Sequence, residues 1–243
     1  MSLVEHLTEL RSRLFKSLLA IGAGMTVAWF AYDLIFDFLV NPLCDVLETD
    51  ECRLIITDPL EGLTTRLRVC GYTGVGLAMP VLLWQLWRFV TPGLYPNERR
   101  WAIPFVVSAL VLFAMGAGLA YWTMPKALDF LISIGGEDLE PFFTPQNYIR
   151  LITYMMLAFG IGFEFPILLV FLQLAGILPN ERLRAWRRYA AVGIVVLVAI
   201  ITPSGDPISL AALSVPMYLF YEISIVIGRI SARRRARAAA EPS

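Results

Sequence analysis

Six stretches of the chain are apolar on every side of a helical wheel rather than on one face: Leu14–Tyr32, Val69–Val90, Trp101–Met124, Leu151–Leu174, Tyr189–Ile201 and Ile208–Ile227. A hydrocarbon layer about 30 Å thick takes roughly 20 apolar residues of helix, and the first four stretches reach that length with at most two ionisable residues inside them. The fifth is about 20 Å long at roughly 1.5 Å per residue, and the sixth is interrupted by Pro216 and Glu222. The pattern predicts an all-α integral membrane protein with six transmembrane helices, the last two short, in one membrane domain over residues 1–230. Composition agrees: 58% of the 243 residues are hydrophobic, 16% are charged, and the mean hydropathy is +0.67. The first apolar stretch exceeds the roughly 7 to 15 residues of a cleavable signal core, which makes it a retained anchor.

Charge then orients the helices. Fifteen of the twenty Lys and Arg fall in the N-terminal arm, the second and fourth loops and the tail, whereas most acids fall in the first, third and fifth loops. By the excess of positive charge, both termini are cytoplasmic, and that face suits anionic lipid. The net charge of zero conceals this separation. The segments Asp33–Arg68 and Asp129–Arg150 are long enough to form a structured outer cap. The Ala/Arg-rich residues 231–243 read as a disordered or lipid-associated cytoplasmic tail. Cys44 and Cys52 share the first outer loop and are placed to pair if that compartment is oxidising, whereas Cys70 opens a helix as a core residue.

Much chemistry is excluded. His6 is the only histidine, so multi-histidine metal sites are impossible, and neither Lys16 nor Lys126 lies in a P-loop. No G-x-S-x-G is present. The chain is expected to be no enzyme, to need no metal or cofactor, and to have no nucleic-acid partner. Work done by such a chain draws on a partner or on the membrane potential.

The remaining polar residues are few. Glu164 lies about halfway along the fourth apolar stretch, where an ionised carboxylate facing lipid costs several kcal/mol. It is either a structural carboxyl hydrogen-bonded between helices or a docking point within the bilayer; flanking Gly160, Gly162 and Pro166 favour docking, because they allow close helix approach and free a carbonyl. In the N-terminal arm Leu3, Leu7, Leu10 and Leu14 form one helical stripe, which leaves Glu5, Glu9 and Arg13 on the other face at i, i+4 steps. A solvated Glu9–Arg13 pair would account for them. A second cytoplasmic carboxylate, Glu98, sits in a Pro/Gly loop beside Arg99 and Arg100, and together with Glu9 it could instead receive a cationic segment.

H-L-x-E-L-R-x-R-L at His6–Leu14, F-x-x-P-x-L-Y-x-x-E-R-R at Phe89–Arg100, F-G-x-x-F-E-x-P at Phe159–Pro166, and T-P-x-x-D with P-M-Y at Thr202–Asp206 and Pro216–Tyr218 resemble the TatC family. That family is the six-helix subunit of the twin-arginine protein translocase. The resemblance implies a curved, concave helix array in a prokaryotic inner membrane. It implies a receptor for Arg-Arg signal peptides of folded proteins, recruiting TatA/TatB-type single-span partners into an oligomeric complex for export driven by the proton-motive force. It implies signal-peptide roles for Glu9 and Glu98 with Arg11 and Arg99 beside them, an intramembrane partner site at Glu164, and outer-side roles for Pro42 and Asp206. The chain departs from the family in having T-P-S-G-D for T-P-P-D, and Leu210 where a Gln is common. The competing class is a proton-coupled small-solute transporter using Glu164 as its carrier, against which stands the lack of any internal repeat; a structural scaffold is a third.

Overall fold

The structure, a computed structural model, describes residues 3–47, 54–90, 102–135, 143–174 and 178–240. The described residues form eight helices and no strand: α1 (Leu3–Phe30), α2 (Tyr32–Leu47), α3 (Glu61–Val90), α4 (Ala102–Ile134), α5 (Pro145–Leu174), α6 (Asn180–Ala185), α7 (Arg187–Ile201) and α8 (Pro207–Ala240). By length and composition α3, α4, α5 and α8 each suffice to cross a membrane. The bent pair α1–α2, turned through 82°, passes the same test jointly, which makes up to five spans. The helices outrun the apolar stretches because polar residues at their ends stay in register with the turns they continue. At the tail, Ala and Arg are strong helix formers. Residues 231–240, read from the sequence as part of a disordered or lipid-associated tail, continue α8 to Ala240.

The helices meet where side chains vanish. At the α1–α3 crossing a Cβ on Gly24 would stand 2.6 Å from the Gly74 carbonyl oxygen, and one on Gly74 would stand 2.7 Å from the Met25 nitrogen. Between α4 and α5, a Cβ on Gly116 would lie 2.8 Å from the Phe159 carbonyl carbon. Such backbone-to-backbone contact is how helices associate in lipid, where burying apolar surface gains little. Trp87, Phe105 and Phe171 then lock α3, α4 and α5 with ring centroids 4.5 to 6.1 Å apart. Gly162 leaves room for Leu213 and Met217 of α8.

The segment between α1 and α3 is largely helical. Pro42, buried within α2, has no N–H to give the Phe38 carbonyl; Tyr121 on α4 donates its hydroxyl there instead at 3.0 Å, its ring stacked on Phe38 at 4.4 Å. Tyr148 on α5 donates to the Leu39 carbonyl at 2.7 Å. Glu61, only 3% exposed, accepts from the Thr57 N–H at 2.8 Å and from the Gln146 N–H at 3.2 Å, so one carboxylate ties the entry of α3 to the first turn of α5. Arg66 lies over the rings of Trp29 and Tyr32 at 4.4 and 4.7 Å and donates to the Trp29 carbonyl, bracing the α1–α2 bend. These contacts tie α2, α3, α4 and α5 to one another at this end of the described residues.

Candidate functional site

Two hollows border α1, one between α1, α3 and α5 and one between α1 and the end of α3. The larger, about 870 Å³, is lined by α1 from Leu10 to Ile21, α3 from Met79 to Phe89, α5 from Tyr154 to Leu168, and by Leu197, Ile201 and Met217. Its walls are Leu, Ile, Phe and Met, with Ser17, Gln85, Tyr154 and Glu164 as its main polar residues. The smaller, about 440 Å³, lies at the basic end among Glu5, Thr8, Glu9, Ser12, Arg13, Lys16 and Arg88. Arg13 lines both, so an extended segment could run from the polar cleft into the apolar groove.

Glu164 reaches the groove because α5 carries small residues around it. Gly160 packs against Phe113 of α4 and Gly162 against Leu213 and Met217 of α8, and Gly162, Met217 and Glu164 all line the groove. Its Oε1 is buried and has no hydrogen-bond partner among the described residues. A buried polar atom without a partner costs about 1 to 3 kcal/mol, a cost that a donor from outside would remove. Glu222, the other acid within one of the six apolar stretches, is already matched: Arg187 donates to it at 2.7 Å and Tyr218 at 3.3 Å. The contrast separates a structural carboxyl from an open one.

Glu9 forms an ion pair with Arg13 one turn on, both bonds going to Oε1. The intrahelical pair anticipated for the arm is thus formed, and an incoming cation must compete with Arg13. Arg11 is exposed on the same helix. Glu98 and Arg99 lie outside the described residues, as does Cys52. Cys44 is disulfide-bonded and Cys70 is a free, buried thiol. Pro42 is the helix break that Tyr121 repairs, and Asp206, 1% exposed, caps α8: its Oδ1 accepts the Ser209 N–H at 2.6 Å and Ser204 donates to its Oδ2 at 2.5 Å. A cap of this kind is worth about 1 kcal/mol. The extra residue of T-P-S-G-D is absorbed by Gly205, whose φ of 60° suits glycine, so the altered motif still delivers Asp206 to the helix start. Glu61 and Gln85 escaped the sequence reading. A Glu at the end of a loop resembles any solvated acid, and a lone Gln in an apolar stretch carries no spacing signal.

Long apolar helices crossing on glycine, with an open groove holding one unmatched carboxylate, define a polytopic α-helical membrane protein. The family model for Sec-independent protein translocase protein (TatC) matches residues 5–216. A protein of Frankia casuarinae described as Sec-independent protein translocase protein TatC is 40% identical over 98% of this chain and 68% of its own length. One of the same description from Aquifex aeolicus is 37% identical over 97% of this chain and 98% of its own length. A crystal structure described as twin arginine translocase receptor TatC superposes with a TM-score of 0.78 at 36% identity, covering 93% of this chain and 99% of that one. The chain belongs to the TatC family. That family is a component of a membrane protein translocase, with a transport rather than a catalytic role, and the small-solute transporter reading is not favoured.

Proposed function

We propose that this chain is the signal-peptide receptor and core subunit of a twin-arginine translocase in a prokaryotic inner membrane. Its six spans are α1, α3, α4, α5, α7 and α8, with α2 lying in the outer cap and residues 1–230 forming one membrane domain. An even number of spans returns both termini to the arginine-rich, cytoplasmic side. At 15 residues, α7 is about 22 Å long and crosses where the bilayer is thinned.

The peptide's paired arginines bind at the cytoplasmic end, at Glu9 and Glu98, with Arg11 and Arg99 flanking them. Planar guanidinium forks match carboxylates bidentately in a way lysine cannot, so two separated glutamates discriminate Arg-Arg from Lys-Lys. The apolar stretch that follows in a signal peptide lies in the groove. Glu164 takes a polar group from a single-span TatA/TatB-type helix at matching depth, and recruitment of such partners couples export of folded proteins to the proton-motive force. The observation that carries this reading is that Arg13 lines both a charged cleft containing Glu9 and an apolar groove containing Glu164, whose buried Oε1 has no partner among the described residues.

Glu98→Gln is expected to lower crosslinking to a twin-arginine signal peptide about tenfold while leaving insertion and expression unchanged, since charge-assisted hydrogen bonds are worth roughly 1.5 to 3 kcal/mol. Undiminished crosslinking by correctly inserted protein would remove Glu98 from the site.

A further inference from the structure

We propose that the arginine-rich ledge formed by α6, the first turn of α7 and the end of α8 is a binding site for the headgroups of anionic phospholipids. This ledge is separate from the cleft and groove, and the proposal requires only that α7 and α8 cross the membrane.

Helix α6 is held against α8 by side chains that cap backbone carbonyls. Tyr221 donates to the Leu183 carbonyl at 2.7 Å, and Asn180 donates to the Ile225 carbonyl at 2.7 Å. From the end of α5, Gln173 donates to the Ser224 carbonyl at 3.1 Å. These bonds lay α6 along the end of α8, with Leu183 at the level of Tyr221 and Asn180 at the level of Ile225 and Gly228, one residue before Arg229.

Arg182, Arg184, Arg188 and Arg229 are all exposed, and none forms an ion pair with a described residue. Arg187, between them in sequence, does have its acid, Glu222. Four unmatched guanidinium groups therefore stand where two helices leave the hydrocarbon. Trp186 and Tyr189 are 55% and 77% exposed among them, which is the side-chain chemistry of a membrane–water interface.

Beyond Arg229, α8 continues unbroken to Ala240, with Arg233, Arg234, Arg235 and Arg237 in sequence and no acid between Glu222 and Glu241. The rise from Arg229 to Arg237 is about 12 Å, little more than a Debye length at moderate salt, so this run adds to the same positive field. Arginine forks suit phosphate oxygens, and a basic cluster directly after a span draws anionic headgroups to the inner leaflet.

Native mass spectrometry of the detergent-solubilised full chain with dioleoylphosphatidylglycerol tests this. The wild type is expected to retain phosphatidylglycerol in preference to phosphatidylcholine, less so as ammonium acetate rises from about 0.1 M to about 1 M. Replacing Arg182, Arg184, Arg188 and Arg229 together by Gln is expected to weaken phosphatidylglycerol retention roughly tenfold, whereas the fourfold Lys variant retains it to within about threefold. Equal retention of the two lipids by the wild type, or no change in the Gln variant, would overturn the proposal. So would displacement of the lipid by millimolar inorganic phosphate, which would mark a free-anion site. Should the Gln variant not fold, a wild-type preference insensitive to salt would overturn it equally.

Discussion

Glu164→Leu is expected to leave the purified protein as stable as before, or more stable, while abolishing its contact with a single-span partner. The stability half follows from the geometry. Oε1 is buried without a partner among the described residues, so the substitution removes an unsatisfied polar atom, worth about 1 to 3 kcal/mol, and breaks no described bond. The functional half follows from depth: within hydrocarbon, a donor on an incoming helix gains most from an acceptor that nothing else has claimed. Thermal melting in detergent and site-specific crosslinking to the partner helix separate the two. A marked fall in melting temperature would mean that Glu164 serves the fold, and the docking role would fall with it. Glu222 provides the comparison, because it already holds Arg187 and its loss should lower the melting temperature.

Gly116→Ala is expected to cost about 3 kcal/mol, and Gly118→Ala, two residues away on the same helix, nothing or less than nothing. A Cβ on Gly116 would lie 2.8 Å from the Phe159 carbonyl carbon and 3.0 Å from the Gly160 Cα, atoms of a helix backbone that cannot turn aside. A Cβ on Gly118 meets no atom within 4 Å, so only the helix preference of Ala over Gly remains, up to about 1 kcal/mol in its favour. Melting of the two variants side by side checks the pair, and equal effects would show that α4 and α5 are not in the contact described. Because α5 positions Glu164, loss of this crossing also closes or skews the groove.

Particular residues mark how far the sequence could be read. The long helices were legible because lipid demands apolar residues on every face, and Glu164 was legible because a carboxylate violates that demand. The Glu9–Arg13 pair was legible from i, i+4 spacing alone. Helix α2 was not, since it mixes Asp33, Asp37 and Asp45 with apolar positions and contains Pro42, a residue that argues against helix until Tyr121 is found supplying the missing hydrogen bond. Glu61 was illegible for a different reason. Its partners Thr57 and Gln146 are separated in sequence by the whole of α3 and α4, and only the fold brings them to one carboxylate. T-P-S-G-D departs from the family's T-P-P-D, yet Gly205 at positive φ lets Asp206 cap α8. Residues 231–240 continue α8 because Ala and Arg are strong helix formers, a preference that charge alone did not reveal.

The most direct test of the account is equilibrium binding of a twin-arginine signal peptide, and of the same peptide with both arginines changed to lysine, to the purified protein. Glutamates that recognise guanidinium forks predict binding of the first at least tenfold tighter than the second, and loss of that preference in a Glu9→Gln, Glu98→Gln double variant. Equal affinity for the two peptides, or a preference that survives the double variant, would contradict it.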